Sequence, residues 1–127
     1  MTEEFLLDTS TLIWALAHPG RLSRTARTVL MSGRLLLSVA SYWEASVKAK
    51  KGRLSIDNPT IWWQRAVEAM GAEVLPVRAT HVTALNGLPD HHKDPFDRIL
   101  IAQAVAEGLV LVTSDETMHR YPVKLRW

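Results

Sequence analysis

Short unbroken apolar runs alternate along this chain with longer stretches in which apolar positions recur every three or four residues. The first rhythm is that of strands covered on both faces, the second that of amphipathic helices. Phe5-Leu6-Leu7, ending at Asp8, predicts a strand, and Leu12, Ile13, Leu16 and Ala17 predict a helix over 9–17. His18-Pro19-Gly20 breaks it, and a second helix over 23–31 turns Ala26, Val29 and Leu30 inward and Arg24 and Arg27 outward. A strand over 35–39 leads to a helix opened by Ser41 and running to about Lys51, where lysines crowd the negative end and Gly52 stops it. Asn58-Pro59 starts a helix ended by Gly71, followed by a strand over 73–77 and a short helix over 80–85. After the polar loop 89–93, Asp94-Pro95 opens an apolar helix to Glu107, Gly108 ends it, and 109–113 and 123–125 are the last two strands.

Strands of Leu and Val without polar alternation, separated by helices, predict the α/β class: a parallel sheet of four to five strands sandwiched by helices. With 127 residues and no linker, repeat or biased segment, the chain reads as one domain over 1–127. Apolar residues at 47% and charged residues at 22% exclude a disordered or low-complexity chain. The absence of cysteine removes disulfides, thiolate catalysis and Cys-ligated zinc, and fits a cytoplasmic location. The apolar stretch 99–112 is interrupted by Gln103 and Glu107 and is too short to span a bilayer, and the acidic start does not read as a signal peptide, so no membrane is expected. The net charge of +2 is too small to nominate a partner, but the charge is segregated. Six of the thirteen acids fall between Asp90 and Glu116, while Lys48, Lys50, Lys51 and Arg53 form the densest basic run.

In open parallel sheets, ligands bind beyond the carboxyl ends of the strands. Asp8 ends the first strand, Glu44 falls in the first turn of the helix after the second, Asp97 sits at the start of the helix opened by Asp94-Pro95, and Asp115 follows the strand over 109–113. These four carboxylates are expected to meet in one anionic cup, which is unfavourable unless a cation joins it, and a lysine of the chain lodged permanently among them would count against a hydrolase. Oxygen-only ligands suit Mg²⁺ or Mn²⁺, and the chemistry such ions best support is phosphodiester hydrolysis by an activated water. Each motif also has a local reading. Asp94-Pro95-Phe96-Asp97 is an N-cap arrangement, Ser41-Tyr42-Trp43-Glu44 has the form of a capping box, Asp8 can cap the first helix, and Asp115-Glu116 can be a turn. The coincidence of four such motifs at one end of the sheet favours the ligand reading.

The motifs resemble the PIN-domain family, and within it the VapC-type toxin ribonucleases of type II toxin–antitoxin pairs. The similarity rests on Leu7-Asp8-Thr9-Ser10, on Ser41 to Glu44 continued by Lys48 and Gly52-Arg53-Leu54, on the block from His92 to Ala104 centred on Asp94-Pro95-Phe96-Asp97-Arg98, and on Leu111-Val112-Thr113-Ser114-Asp115, all in family order. It implies an Mg²⁺- or Mn²⁺-dependent endoribonuclease in which Asp8, Glu44, Asp97 and Asp115 are both metal ligands and catalytic residues. Thr9, Thr113 and Ser114 would orient ligands or water through their hydroxyls, and Asp94 would be a cap or supporting group. Ser114 stands where the family often has Asn. The resemblance also implies an RNA substrate, a homodimer, and a small antitoxin whose C-terminal segment docks beside the site and offers it a basic side chain.

Other residues have competing readings. Lys48 and its basic neighbours are candidates for the RNA backbone, or simply for the helix end, and Arg98 for a phosphate or a structural carboxylate partner. His91 and His92 are expected to face solvent rather than share a metal. Trp62 and Trp63 are adjacent on one helix, so only one is expected to point fully inward. Two other functions compete. A haloacid-dehalogenase-like phosphatase needs a second acid two residues after Asp8, where this chain has Ser10, and a non-catalytic PIN-like module binding RNA or a partner has no need of four intact acids. The six glycines are isolated, so no phosphate-cradling loop is present.

Overall fold

A central strand β1 (Glu4–Leu7) is flanked by β2 (Arg34–Ser38) on one side and β4 (Val110–Val112) on the other, with β3 (Glu73–Leu75) and β5 (Lys124–Arg126) at the edges. The order is β3-β2-β1-β4-β5 and every pairing is parallel. The computed structural model describes residues 2–91 and 93–127, so the expectation for His92 lies outside the described residues.

Alternation along the strands builds two cores. Phe5, Leu7, Leu35, Leu37, Val110 and Val112 face one way, onto α1 (Thr9–Ala17), α2 (Arg24–Ser32) and α4 (Pro59–Met70). Leu6, Leu36 and Leu111 face the other way, onto α6 (Pro95–Glu107), whose Leu100 and Ile101 are fully buried, and onto the 3-10 turn Glu116–Arg120 through Met118. Both faces of each inner strand are therefore covered, as the continuous apolar runs required. Burying a Leu of this kind contributes about 1.5–3 kcal/mol. Among the described residues no helix is long and apolar enough to cross a membrane.

Several boundaries differ from expectation for local reasons. The helix after β2, α3 (Val39–Lys50), starts at Val39, because Ser38 accepts the Ala40 N–H at 3.0 Å. Ser41 therefore lies inside the helix and is not its cap, and Glu44 sits in its second turn. β3 stops at Leu75, since Pro76 has no N–H to continue the ladder. The next helix, α5 (Ala79–Asn86), is one residue longer at each end than its apolar pattern. His81, three residues past the N-cap position, accepts the Arg78 N–H at 2.9 Å and closes its first turn. The break at Pro19 becomes a 3-10 turn over Pro19–Arg21.

Candidate active site

The strand order reverses between β1 and β4, since the chain builds outward from β1 through β2 and β3, then crosses back to β4 and β5. Asp8 and Thr113 follow these two central strands, at the place where such sheets leave a crevice. Asp8 is 5% exposed, and its carboxylate is divided between two donors. Its Oδ1 accepts the Thr11 N–H at 2.8 Å, which caps α1, and its Oδ2 accepts the Thr113 hydroxyl proton at 2.6 Å. Burial pushes the Asp8 carboxyl above its ordinary range, against the lowering effect of the bonds to Thr11 and Thr113, and the negative charge of Glu44 raises it further. That last effect places the two carboxylates within electrostatic reach of each other.

Thr113 also links the next acid. Its Oγ1 accepts the Asp115 N–H at 3.1 Å, while the Asp115 Oδ1 accepts from the Thr117 N–H at 3.0 Å and the Thr117 hydroxyl at 2.6 Å. Asp115 thus caps the 3-10 turn that follows it, and Ser114 between them is exposed. The chain Asp115–Thr113–Asp8 joins the residues just after β4 to those just after β1 in one hydrogen-bonded path.

Glu44 comes in from α3. Only 3% exposed, it meets the Lys48 Nζ with Oε2 at 2.6 Å, while Oε1 is buried and finds no hydrogen-bond partner among the described residues. The lysine expected as an RNA contact is therefore engaged with one of the acids. It reaches Glu44 with a side chain that is 40% exposed, so it sits at the rim. The pair has the (i, i+4) Glu-to-Lys spacing of a helical ion pair, which is legible in the sequence. Thr9, expected to orient ligands, instead donates its hydroxyl proton to the Ser41 Oγ at 2.9 Å, pinning the start of α1 to α3.

Asp97 lies in the first turn of α6, capped by Asp94, whose Oδ1 accepts the Phe96 N–H at 2.9 Å and the Asp97 N–H at 3.2 Å. The Phe96 ring packs edge-on with the Trp43 ring, centroids 4.9 Å apart, and so holds the start of α6 against α3 one residue from Glu44. Arg98 is committed to structure. It donates to the Pro89 carbonyl at 2.8 Å and the Tyr121 hydroxyl at 3.3 Å and lies 3.6 Å from Asp90. His91 is exposed, its ring set against Tyr121. Trp63 is buried and stacks on Tyr42, whereas Trp62 is half-buried and lines a groove between α1, residues 54–58 and α4.

Among the described residues no group of three or more Asp, Glu or His side chains is arranged to hold a metal ion. Three of the four acids engage local donors: helix and turn N–H groups meet Asp8 and Asp115, and Lys48 meets Glu44. The donor chemistry still fits a hard divalent cation, with hard oxygen donors around the crevice and one buried carboxylate oxygen, Glu44 Oε1, that no donor meets.

A family model of the PIN domain matches residues 5–124. Ribonuclease VapC22 of Mycobacterium tuberculosis is 32% identical, over 92% of each chain. Among solved structures, the fold is similar to that of VapBC2 from Rickettsia felis bound to a DNA fragment, with a TM-score of 0.71, 15% identity and 96% of each chain covered. It is also similar to a toxin–antitoxin complex from Klebsiella pneumoniae, with a TM-score of 0.62, 22% identity and 92% of each chain covered. At these identities the structural likeness speaks for the fold.

Proposed function

We propose, from the premise that the chain belongs to the PIN domain family, that it is a metal-dependent endoribonuclease, the toxin of a type II toxin–antitoxin pair. The observation that carries the reading is the bridge from Asp8 to Thr113 across the point where the strand order reverses, with the charge of Glu44 felt at Asp8. A structural cap has no need of a second buried carboxylate whose charge it feels.

In this reading Asp8, Glu44, Asp97 and Asp115 hold Mg²⁺ or Mn²⁺. The cation, when bound, neutralises charge on the scissile phosphate and makes water more acidic. The rest falls to the protein. The Thr11 N–H and the Thr113 hydroxyl each hold one oxygen of Asp8, so its rotamer is fixed before substrate arrives. Thr9 and Ser41 tie α1 to α3 and fix the spacing between Asp8 and Glu44. Asp94 sets the first turn of α6 and hence the position of Asp97. In the hydrolysis, the oxygen of water bonds to phosphorus, the bond from phosphorus to the leaving ribose oxygen breaks, and a proton returns to that oxygen.

The antitoxin's C-terminal segment is assigned to the groove of about 570 Å³ between α1, residues 54–58 and α4, where Leu16, Ile56 and Trp62 offer apolar contact. The homodimer rests on the family resemblance, and the cytoplasmic location on the absence of cysteine. The reading is tested by incubating the purified protein with single-stranded RNA and Mg²⁺ or Mn²⁺. Cleavage that stops on chelation is expected, and intact RNA under both conditions contradicts it.

A further inference from the structure

Trp43 is 64% exposed, a large area of indole to leave in water, and it occupies the α3 position immediately before Glu44. Its ring is not loose. The edge-on contact with Phe96, at an interplanar angle of 76°, fixes it against α6 one residue before Asp97. The two helices that carry Glu44 and Asp97 are thus joined by an aromatic pair whose larger member remains open to solvent. Farther along α3 the same helix ends in Lys48 and Lys50, with Lys51 as its C-cap. An aromatic surface followed by cations is the pairing that single-stranded nucleic acid recognises, because every base offers a π face and every linkage a phosphate.

We infer that Trp43, steadied by Phe96, is the platform on which a base of the RNA substrate stacks beside the cleavage site. This rests on the nuclease reading and deepens it, since it names the unpaired base as the feature recognised at this end of the crevice. A base within a duplex is already stacked on its neighbours and has no free face to offer, so the platform selects single-stranded RNA. Lys50 and Lys51, exposed at the end of α3, supply phosphate contacts, which carry no sequence preference.

The test measures binding of a fluorescein-labelled single-stranded RNA of about 12 nucleotides, and of the same strand in a duplex, by anisotropy in chelator so that no cleavage occurs. The variants are Trp43→Ala and Trp43→Phe, with circular dichroism confirming that each is folded. The expected result is a loss of about tenfold in single-strand affinity for Trp43→Ala, the size of one lost base stack. Affinity in Trp43→Phe should stay within about threefold of wild type, because a smaller ring still stacks, and duplex binding should be unchanged. Equal single-strand affinity in wild type and Trp43→Ala overturns the platform, as does a Phe variant that loses as much as the Ala variant. Unchanged RNA affinity combined with an altered sedimentation coefficient in Trp43→Ala assigns the indole to a protein interface and overturns it too. A wild-type protein that neither binds nor cleaves single-stranded RNA removes the nuclease reading and the platform together, an outcome distinct from the others.

Discussion

The buried carboxylate of Glu44 is held by Lys48 at 2.6 Å through one oxygen, and its other oxygen meets no donor. An ammonium on a ligand carboxylate competes with a divalent cation for the same negative charge. Because the Lys48 side chain is 40% exposed, solvent screens the pair from the lysine's side, and its competition with a cation amounts to about 1 kcal/mol. Lys48→Met should therefore bind Mn²⁺ about two- to fivefold more tightly by titration calorimetry. Unchanged or weaker binding would mean that the lysine positions Glu44 rather than competing for it.

Asp8 gives the metal-free protein a pH dependence of definite sign. Its folded value lies above the ordinary 3.8, chiefly because of burial. The fold thus prefers the protonated form, and the unfolded chain releases the proton first. Asp8's contribution to stability is complete below about pH 3.8 and declines as pH rises through the folded value. In chelator at pH 7, Asp8→Asn is expected to raise Tm and to flatten the dependence of Tm on pH above 3.8 relative to wild type. A lower Tm with an unchanged slope would show that Asp8 imposes no such cost.

Thr113→Val keeps the shape of the side chain but removes its hydroxyl, and with it the bonds to the Asp8 Oδ2 and the Asp115 N–H. Leaving a buried carboxylate oxygen without its donor costs about 1–3 kcal/mol. Urea denaturation should show a loss of that order, and RNA cleavage should fall by at least about tenfold as Asp8 loses its fixed rotamer. Full activity in the valine variant would mean that the bridge between β1 and β4 has no part in the chemistry.

Asp97 stands in the first turn of α6 with its backbone N–H already capped by Asp94. Asp97→Asn leaves that cap in place and removes only charge. Wild type should rise in Tm on addition of Mn²⁺, and the variant should lose most of that rise. An equal shift in both would exclude Asp97 from the metal ligands.

The α/β class, the parallel sheet and the position of each acid near a strand or helix end were legible in the sequence, because buried parallel strands write themselves as Leu and Val runs and helix starts carry polar caps. Less legible was which hydroxyl serves which acid. Thr9, Ser41 and Thr113 lie 32 and 105 residues from the groups they bond, and no local pattern encodes such pairings. Ser41 misled as a cap because Ser38, three residues earlier, offers the same chemistry, and the backbone after β2 turns helical at Val39. The exposure of Trp43 is not legible either, since an aromatic near a helix start has the pattern of a core residue. The Glu44–Lys48 pair was written plainly in the spacing, but the sequence cannot show that its acid is buried.

Glu44→Gln tests the central claim most directly, because it keeps the side chain's shape and removes the carboxylate charge that a cation and Lys48 would share. Cleavage of single-stranded RNA by the folded variant, measured beside wild type in Mg²⁺, should fall by at least about a hundredfold, with weaker Mn²⁺ binding. Cleavage at the wild-type rate would contradict the assignment of Glu44 to the metal and to the reaction.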